Sequence, residues 1–241
     1  MPHDFSPVGF LGFDTFGTVV DWRNGVAREA EPFLKRHRMA VDPLDFADQW
    51  RALYEPSMEK VRSGERNWVK LDILHRENLE KVLENNGVDL DSIVDAELRD
   101  LNTAWHRLDP WPDAIEGLTR LKRKFPIGPL SNGNISAMLA LARFGGLPWD
   151  VIVGAEISKS YKPQSETYLK TAEAVGFPPQ QVALVAAHNS DLAAARAVGF
   201  RTVFVRRPYE HGPLQQTDVR AEDNWDLCVE TLTQAADALG C

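Results

Sequence analysis

Asp14 stands at the end of a short apolar run, Gly9-Phe10-Leu11-Gly12-Phe13, and is followed by Thr15-Phe16-Gly17-Thr18. A carboxylate at the carboxyl end of a buried strand faces a crevice and can act as a nucleophile. Gly17 permits a tight turn, and Thr18 can donate a hydrogen bond back to the carboxylate. The same segment also reads as a turn-forming Asp before a Gly-Thr loop. Ser131-Asn132-Gly133-Asn134 follows a second apolar run and opens a helix. Small donors and backbone N–H groups there can hold an anion, or Ser or Asn simply caps the helix. Lys162, in Ser160-Tyr161-Lys162-Pro163 with Tyr168 on the helix that follows, is either a solvated loop lysine or a cation that balances Asp14 and lowers its pKa. His188-Asn189-Ser190-Asp191 follows a further run; Asp191 either caps a helix, holds Lys162 or orients a water. Each group alone has an ordinary explanation. Together they put Asp, Ser/Asn, Lys and Asp at the ends of four successive strands, which implies one active site.

The elements that must position these groups are short. Strands are predicted at 9–13, 125–130, 151–154, 182–186 and 202–205. The last three lack polar alternation, as expected of a parallel sheet covered on both faces. Pro129 weakens the second, because proline has no donor for a central ladder. Helices are predicted from Ile135 to Phe144, Ser165 to Val175 and Leu192 to Val198, each with glycine just past its end. Strand and helix alternate from about residue 110, which implies right-handed βαβ units. Residues 24–108 break that rhythm with four helical stretches, roughly 25–38, 44–62, 67–86 and 91–107. The expected organisation is an α/β, Rossmann-like parallel core formed by 1–23 and 109–241, with a helical cap at 24–108. An insert after the first strand would cover the carboxyl edge of the sheet, where open α/β folds bind ligands.

Composition narrows the function. The chain has 241 residues, 44% hydrophobic and 26% charged, with net charge −8. That balance argues against disordered and membrane-embedded classes and against a general nucleic-acid binder, which needs a basic face. An anionic substrate would need local positive groups. The two cysteines, Cys228 and Cys241, are too few to staple the fold and form no zinc pattern. Neither a signal peptide nor a membrane span is expected, and a reducing, cytoplasmic setting is the simplest reading.

The order and spacing of Phe13-Asp14-Thr15-Phe16-Gly17-Thr18, Leu130-Ser131-Asn132-Gly133-Asn134, Tyr161-Lys162-Pro163 and Ala187-His188-Asn189-Ser190-Asp191 resemble the haloacid dehalogenase superfamily over nearly the whole chain. Phosphatases of that superfamily carry a second aspartate two residues after the nucleophile and two acids in the fourth motif for magnesium. Here those places hold Phe16 and, as clear carboxylate, Asp191 alone. Losing an acid and a metal ligand argues against phosphoryl transfer. An aromatic residue at that position, Lys162 with Tyr168, and Gln49-Trp50-Arg51 in the cap are similar to the L-2-haloacid dehalogenase branch.

The resemblance implies hydrolysis of short 2-haloalkanoic acids through an aspartyl ester, with no metal and no cofactor. Asp14 would be the nucleophile, and Thr18, Ser131 and Lys162 would orient it and the substrate carboxylate. Asp191 would position Lys162 and the water, with His188 or Asn189. Arg51 and Asn132 would receive halide, Thr15 and Phe16 would supply backbone donors, and Tyr168 belongs to the same binding set. Partners would be the small haloacid and halide, with a homodimer as in relatives, and no nucleic acid or membrane. A phosphatase or phosphonatase with divergent metal ligands is the alternative enzyme. A silent binding protein that keeps only the fold is the third reading, disfavoured by the intact Asp14, Ser131, Lys162 and Asp191.

Overall fold

The computed structural model describes residues 5–241; residues 1–4, which the expected core segment includes, lie outside the described residues. Among the described residues the strands are β1 (Phe10–Phe13), β2 (Ile127–Ser131), β3 (Val153–Gly154), β4 (Val182–Ala186), β5 (Arg201–Val205) and β6 (Leu227–Val229). They form a single parallel sheet in the order β3-β2-β1-β4-β5-β6.

Alternation along the strands explains their unbroken apolar sequences. Leu11, Phe13, Ala183, Val185, Val203 and Val205 join one buried cluster, while Phe10, Val182, Leu184, Ala186 and Phe204 join the cluster on the opposite face. Both faces are therefore covered. Pro129 fits because Ile127 turns its N–H and C=O to Asp150, each at 2.9 Å. Two residues on, Pro129 turns its donor-less nitrogen to the same side, where β3 is only two residues long.

Five helices lie between β1 and the return to the core: α1 (Trp22–Arg36), α2 (Pro43–Ala52), α3 (Tyr54–Arg62), α4 (Leu71–Asn85) and α5 (Asp95–Asn102). The stretch expected as one helix over 44–62 is two, broken at Leu53. Pro56 is the cause: it cannot donate to the carbonyl of Ala52, and its ring would crowd that carbonyl in a continuous helix. Asp21 caps α1 and Asp42 caps α2, each accepting a backbone N–H three residues on. The core resumes with α6 (Ala114–Lys122) and continues with α7 (Ile135–Gly145), α8 (Ala155–Ser158), α9 (Ser165–Val175), α10 (Asn189–Ala197) and α11 (Leu232–Ala238). Gly146 and Gly176 end α7 and α9 in the left-handed conformation.

Strand order reverses between β1 and β4, so their carboxyl ends frame the crevice expected of such sheets. The cap is fastened over it. Arg62 on α3 donates to the Lys162 carbonyl (3.0 Å), and Gln164 returns a bond to the Arg62 carbonyl (2.9 Å). Tyr161 donates to the Val69 carbonyl (2.8 Å), and Asp72 and Asn134 exchange two bonds (3.2 and 3.0 Å). Among the described residues no helix is long and apolar enough to cross a membrane.

Candidate active site

Asp14 follows β1 directly, its N–H bonded to the Val185 carbonyl of β4 (3.0 Å). The carboxylate is 6% exposed and fully bonded. Lys162 Nζ donates to Oδ1 at 2.8 Å, and Thr18 Oγ1 donates to Oδ2 at 2.6 Å. His188 Nδ1 lies 3.1 Å from the same Oδ2. Burial alone would raise the Asp14 pKa, but Lys162 and His188 outweigh it and hold the carboxyl well below the usual carboxylate range.

Lys162 Nζ also contacts Asp191 Oδ2, and Tyr168 donates to Asp191 Oδ1 at 2.6 Å. Burial opposes the lysine charge, yet Asp14 and Asp191 together raise the Lys162 pKa above its ordinary value. The loop holding Lys162 is set by Asn132, whose Oδ1 accepts the Lys162 N–H at 2.8 Å. Asp191 lies in the first turn of α10, and its side chain is spent on Lys162 and Tyr168 instead of a cap.

The largest gap in the sequence reading is Glu210. It is 1% exposed and bonds His188 Nε2 through both oxygens, at 3.1 and 2.9 Å. Trp22 Nε1 donates to it at 3.0 Å. Burial lowers the affinity of His188 for a proton, but Glu210 and Asp14 on either side raise its pKa well above the ordinary value. The Glu210 carboxyl is in turn held below its usual range by His188, against the effect of burial. Gly17 makes room: at φ 86°, a Cβ there would stand 2.1 Å from Glu210 Oε1. Glu210 lies on the loop after β5, past the same sheet edge as the other groups but five residues beyond the strand, and no sequence signal singles it out.

A cavity of about 140 Å³ opens beside Asp14, with Phe16, Arg51, Tyr54, Asn132, Lys162 and His188 on its wall. That is the space of roughly five waters, which fits a small acid. Glu55, Pro163 and Asp191 complete the lining. Arg51 enters from α2 beside the buried Trp50. Its guanidinium carbon lies 4.0 Å from the Tyr54 ring centre and 5.5 Å from that of Trp22. Its Nε is buried without a hydrogen-bond partner among the described residues. A donor and charge left over at the cavity wall suit an incoming anion. A groove of about 370 Å³ between α1 and α5 is larger, but its ionic groups pair with one another, as Arg107 does with Glu29 and Arg36 with Glu97.

The expected site residues thus divide. Asp14, Phe16, Arg51, Asn132, Lys162, His188 and Asp191 meet at the cavity. Thr18 and Ser131 lie behind it, Ser131 Oγ accepting the Gly133 N–H at 3.1 Å. Thr15 is fully buried, and its hydroxyl has no partner among the described residues. Two assignments need correction. Tyr168 does not line the cavity; it is fully buried behind Asp191. Asn189 turns away from Asp14 and is consumed by the 218–225 loop: its amide donates to Asp218 and the Arg220 carbonyl and accepts from Glu222 N–H and Trp225 Nε1. Adjacent residues at a helix start point in different directions, and only His188 reaches the carboxylate.

A strand-end aspartate paired with lysine under an inserted cap defines a class of covalent aspartate hydrolases. The profile of the haloacid dehalogenase-like hydrolases matches residues 11–199. An (S)-2-haloacid dehalogenase of Pseudomonas fluorescens is 26% identical, over 86% of this chain and 88% of its own. The crystal structure of a defluorinating L-2-haloacid dehalogenase superposes with TM-score 0.97 at 47% identity, covering both chains completely. Another L-2-haloacid dehalogenase gives TM-score 0.91 at 40% identity, over 97% of this chain and 98% of that one. The chain belongs to the haloacid dehalogenase-like hydrolases. Within them it falls in the L-2-haloacid dehalogenase branch.

Proposed function

We propose that this protein hydrolyses the carbon–halogen bond of short 2-haloalkanoic acids, such as haloacetate and L-2-halopropionate, to 2-hydroxy acids. The observation that carries the proposal is the Asp14 carboxylate, ionised between Lys162, Thr18 and His188, on the wall of a cavity that also holds Arg51, whose Nε has no hydrogen-bond partner among the described residues. Relatives named for the same activity support it.

Asp14 attacks the carbon bearing the halogen from the side opposite the leaving group. An ester forms, halide leaves with the bonding pair, and the carbon inverts. Arg51 and the Asn132 amide receive the halide. Lys162 orients the substrate carboxylate, Thr18 and Lys162 fix Asp14, and Asp191 with Tyr168 behind it fixes Lys162. Water then attacks the ester carbonyl, with the backbone N–H groups of Thr15 and Phe16 receiving the developing oxyanion. Esterification removes the charge on Asp14, which leaves Glu210 alone to retain the His188 proton. The ring can then release it and accept one from the attacking water, acting as general base. His188 hands that proton to the departing oxygen of the hydroxy acid, the Asp14 carboxyl ionises, and one proton in net passes to solvent.

The cation between the two acids is the Lys162 ammonium, and residue 16 is phenylalanine, which supports metal-independent turnover. The proposal includes residues 24–108 as the cap domain on a core of 1–23 and 109–241. It also includes a reducing, cytoplasmic setting, which two free cysteines support, and a homodimer, which exposed Leu139 and Val151 on one groove of the core support.

The experiment is single turnover of chloroacetate in heavy-oxygen water with and without a chelator. Halide release should survive chelation, and label should enter Asp14 before product; Asp14→Asn should be inactive yet folded. Label entering product directly in the first turnover refutes the ester. Phosphate-ester cleavage that needs added magnesium, with no halide release, favours the phosphatase instead.

A further inference from the structure

Arg207 stands two residues past the end of β5 and is 7% exposed, although it does not line the cavity. A guanidinium so buried needs partners for its whole fork, and they are in place. Nη1 and Nη2 donate to the two oxygens of Asp113, each at 2.9 Å, and Nε donates to the Thr18 carbonyl at 2.9 Å. Asp113 is fixed in turn by the Leu232 N–H at the start of α11, at 2.6 Å.

The bond to Thr18 reaches the loop of the nucleophile. Three successive carbonyls past Asp14 are held: Gly17 by the Trp111 indole N–H at 2.8 Å, Thr18 by Arg207, and Val19 by the Trp111 backbone N–H at 2.9 Å. Thr18 is thereby fixed with its hydroxyl between two groups of the site. It donates to Asp14 Oδ2 at 2.6 Å and accepts the Ala187 N–H at 2.9 Å, one residue before His188. The main chain of Arg207 acts on the far flank of the same histidine. Its carbonyl accepts the Glu210 N–H at 3.4 Å, in the turn that brings Glu210 to His188 Nε2.

Asp14, His188 and Glu210 stand in a row, with 3.1 Å on one side of the ring and 2.9 Å on the other. The ring has a fixed width, so the two carboxylates must be kept a set distance apart. Asp14 depends on the loop after β1 and Glu210 on the loop after β5, and β4 lies between those strands. The ladder of the sheet therefore does not tie the two loops directly. Arg207 does, with its side chain on one and its main chain on the other. Resting on the dehalogenase reading above, we propose that Arg207 is a positioning residue for both steps, setting the span between Asp14 and Glu210 that His188 bridges. In ester formation it acts through Thr18 on the Asp14 carboxylate. In ester hydrolysis it acts through Glu210 on the ring that takes the proton of water. A lysine matches the charge of Asp113 but brings a single nitrogen, which cannot copy a planar fork that serves Asp113 and Thr18 at once.

Arg207→Lys and Arg207→Met separate positioning from neutralisation of Asp113. Chloride release from chloroacetate is followed in the pre-steady state and the steady state, well below the melting temperature of each variant. Misplacing a reacting group by about 1 Å costs on the order of 10²-fold. Both variants should therefore lower kcat by about 10- to 100-fold with KM kept within roughly threefold, and both the chloride burst and the later steady state should slow. Arg207→Lys should recover most of the melting temperature lost in Arg207→Met, yet not kcat. If kcat returns together with stability, if neither phase slows, or if a rise in KM carries the whole loss, Arg207 serves the fold alone and the proposal falls, with the dehalogenase reading intact. Should Arg207→Lys not fold, Asp113→Asn, which loosens the same fork, is read in its place: a fall in kcat at unchanged KM supports the assignment, and an unchanged kcat overturns it. A parent that releases no chloride overturns the dehalogenase reading itself.

Discussion

Replacing Glu210 by glutamine keeps the shape of a buried side chain and removes its charge. Glu210 holds His188 at 2.9 and 3.1 Å and takes a bond from Trp22. At 1% exposure, water cannot substitute for the carboxylate. Glutamine can still accept from Trp22 and from one ring nitrogen, so the expected loss is close to that of one charge-assisted bond, about 1.5–3 kcal/mol. In rate terms this is about 10- to 150-fold. It should fall on hydrolysis of the ester, where His188 must take a proton and carry a charge stabilised by Glu210. Ester formation needs only an ionised Asp14, which Lys162 and Thr18 still secure. Rapid mixing with excess chloroacetate should therefore give a near-normal burst of halide followed by a slowed steady state. Intact-mass measurement should find the ester accumulating on the variant. If the steady state stays within twofold of the parent and no ester builds up, the His188–Glu210 pair does not activate water and the mechanism must lose that step.

Arg51→Ala should lower kcat by something on the order of 10²-fold or more, as for loss of one charge-stabilising donor; Arg51→Lys should recover part of it, and a pre-steady-state halide burst at the normal rate would remove Arg51 from the leaving-group site. Asn189→Ala should act on stability, by about 2–3 kcal/mol for a buried amide that ties down the 218–225 loop, with ester hydrolysis changed less than about tenfold. Denaturant unfolding beside single-turnover kinetics separates this from a direct role in positioning water. The His188 pKa is raised on folding, so its contribution to stability is present below about pH 6.5 and lost as pH rises through the raised value. Melting temperatures of parent and His188→Gln should differ most in mildly acidic buffer and converge on alkalinisation; a difference that does not vary with pH contradicts the charged bridge between Asp14 and Glu210.

What was legible in the chain follows from how local each determinant is. β1, β4 and β5 could be read because both faces of a parallel sheet demand apolar residues, and helix ends at Gly146 and Gly176 because left-handed backbone favours glycine. β3 came out at two residues instead of four because it pairs with β2 only at Leu130 and Ser131. β6 escaped notice: Leu227-Cys228-Val229 is a half-exposed edge of three residues, too short to show a period. In the site, groups immediately after a strand could be placed from sequence because the sheet fixes where strands end. Glu210 could not, since its partnership depends on a loop folding back against Gly17. Nor could the choice between His188 and Asn189, which depends on side-chain directions that neighbouring residues do not share.

The bond from Arg62 to the Lys162 carbonyl joins the lid to the backbone of the very residue that tunes the nucleophile. Any widening of this small chamber parts cap from core. Parting them breaks that bond and its companion from Gln164, and the lysine loop loses two of its restraints at the moment bulk water enters. Readiness for attack and isolation from solvent are therefore thermodynamically linked, so that each favours the other. A molecule with the cap parted is poor at alkylating its own aspartate, and attack is favoured where the cap is seated.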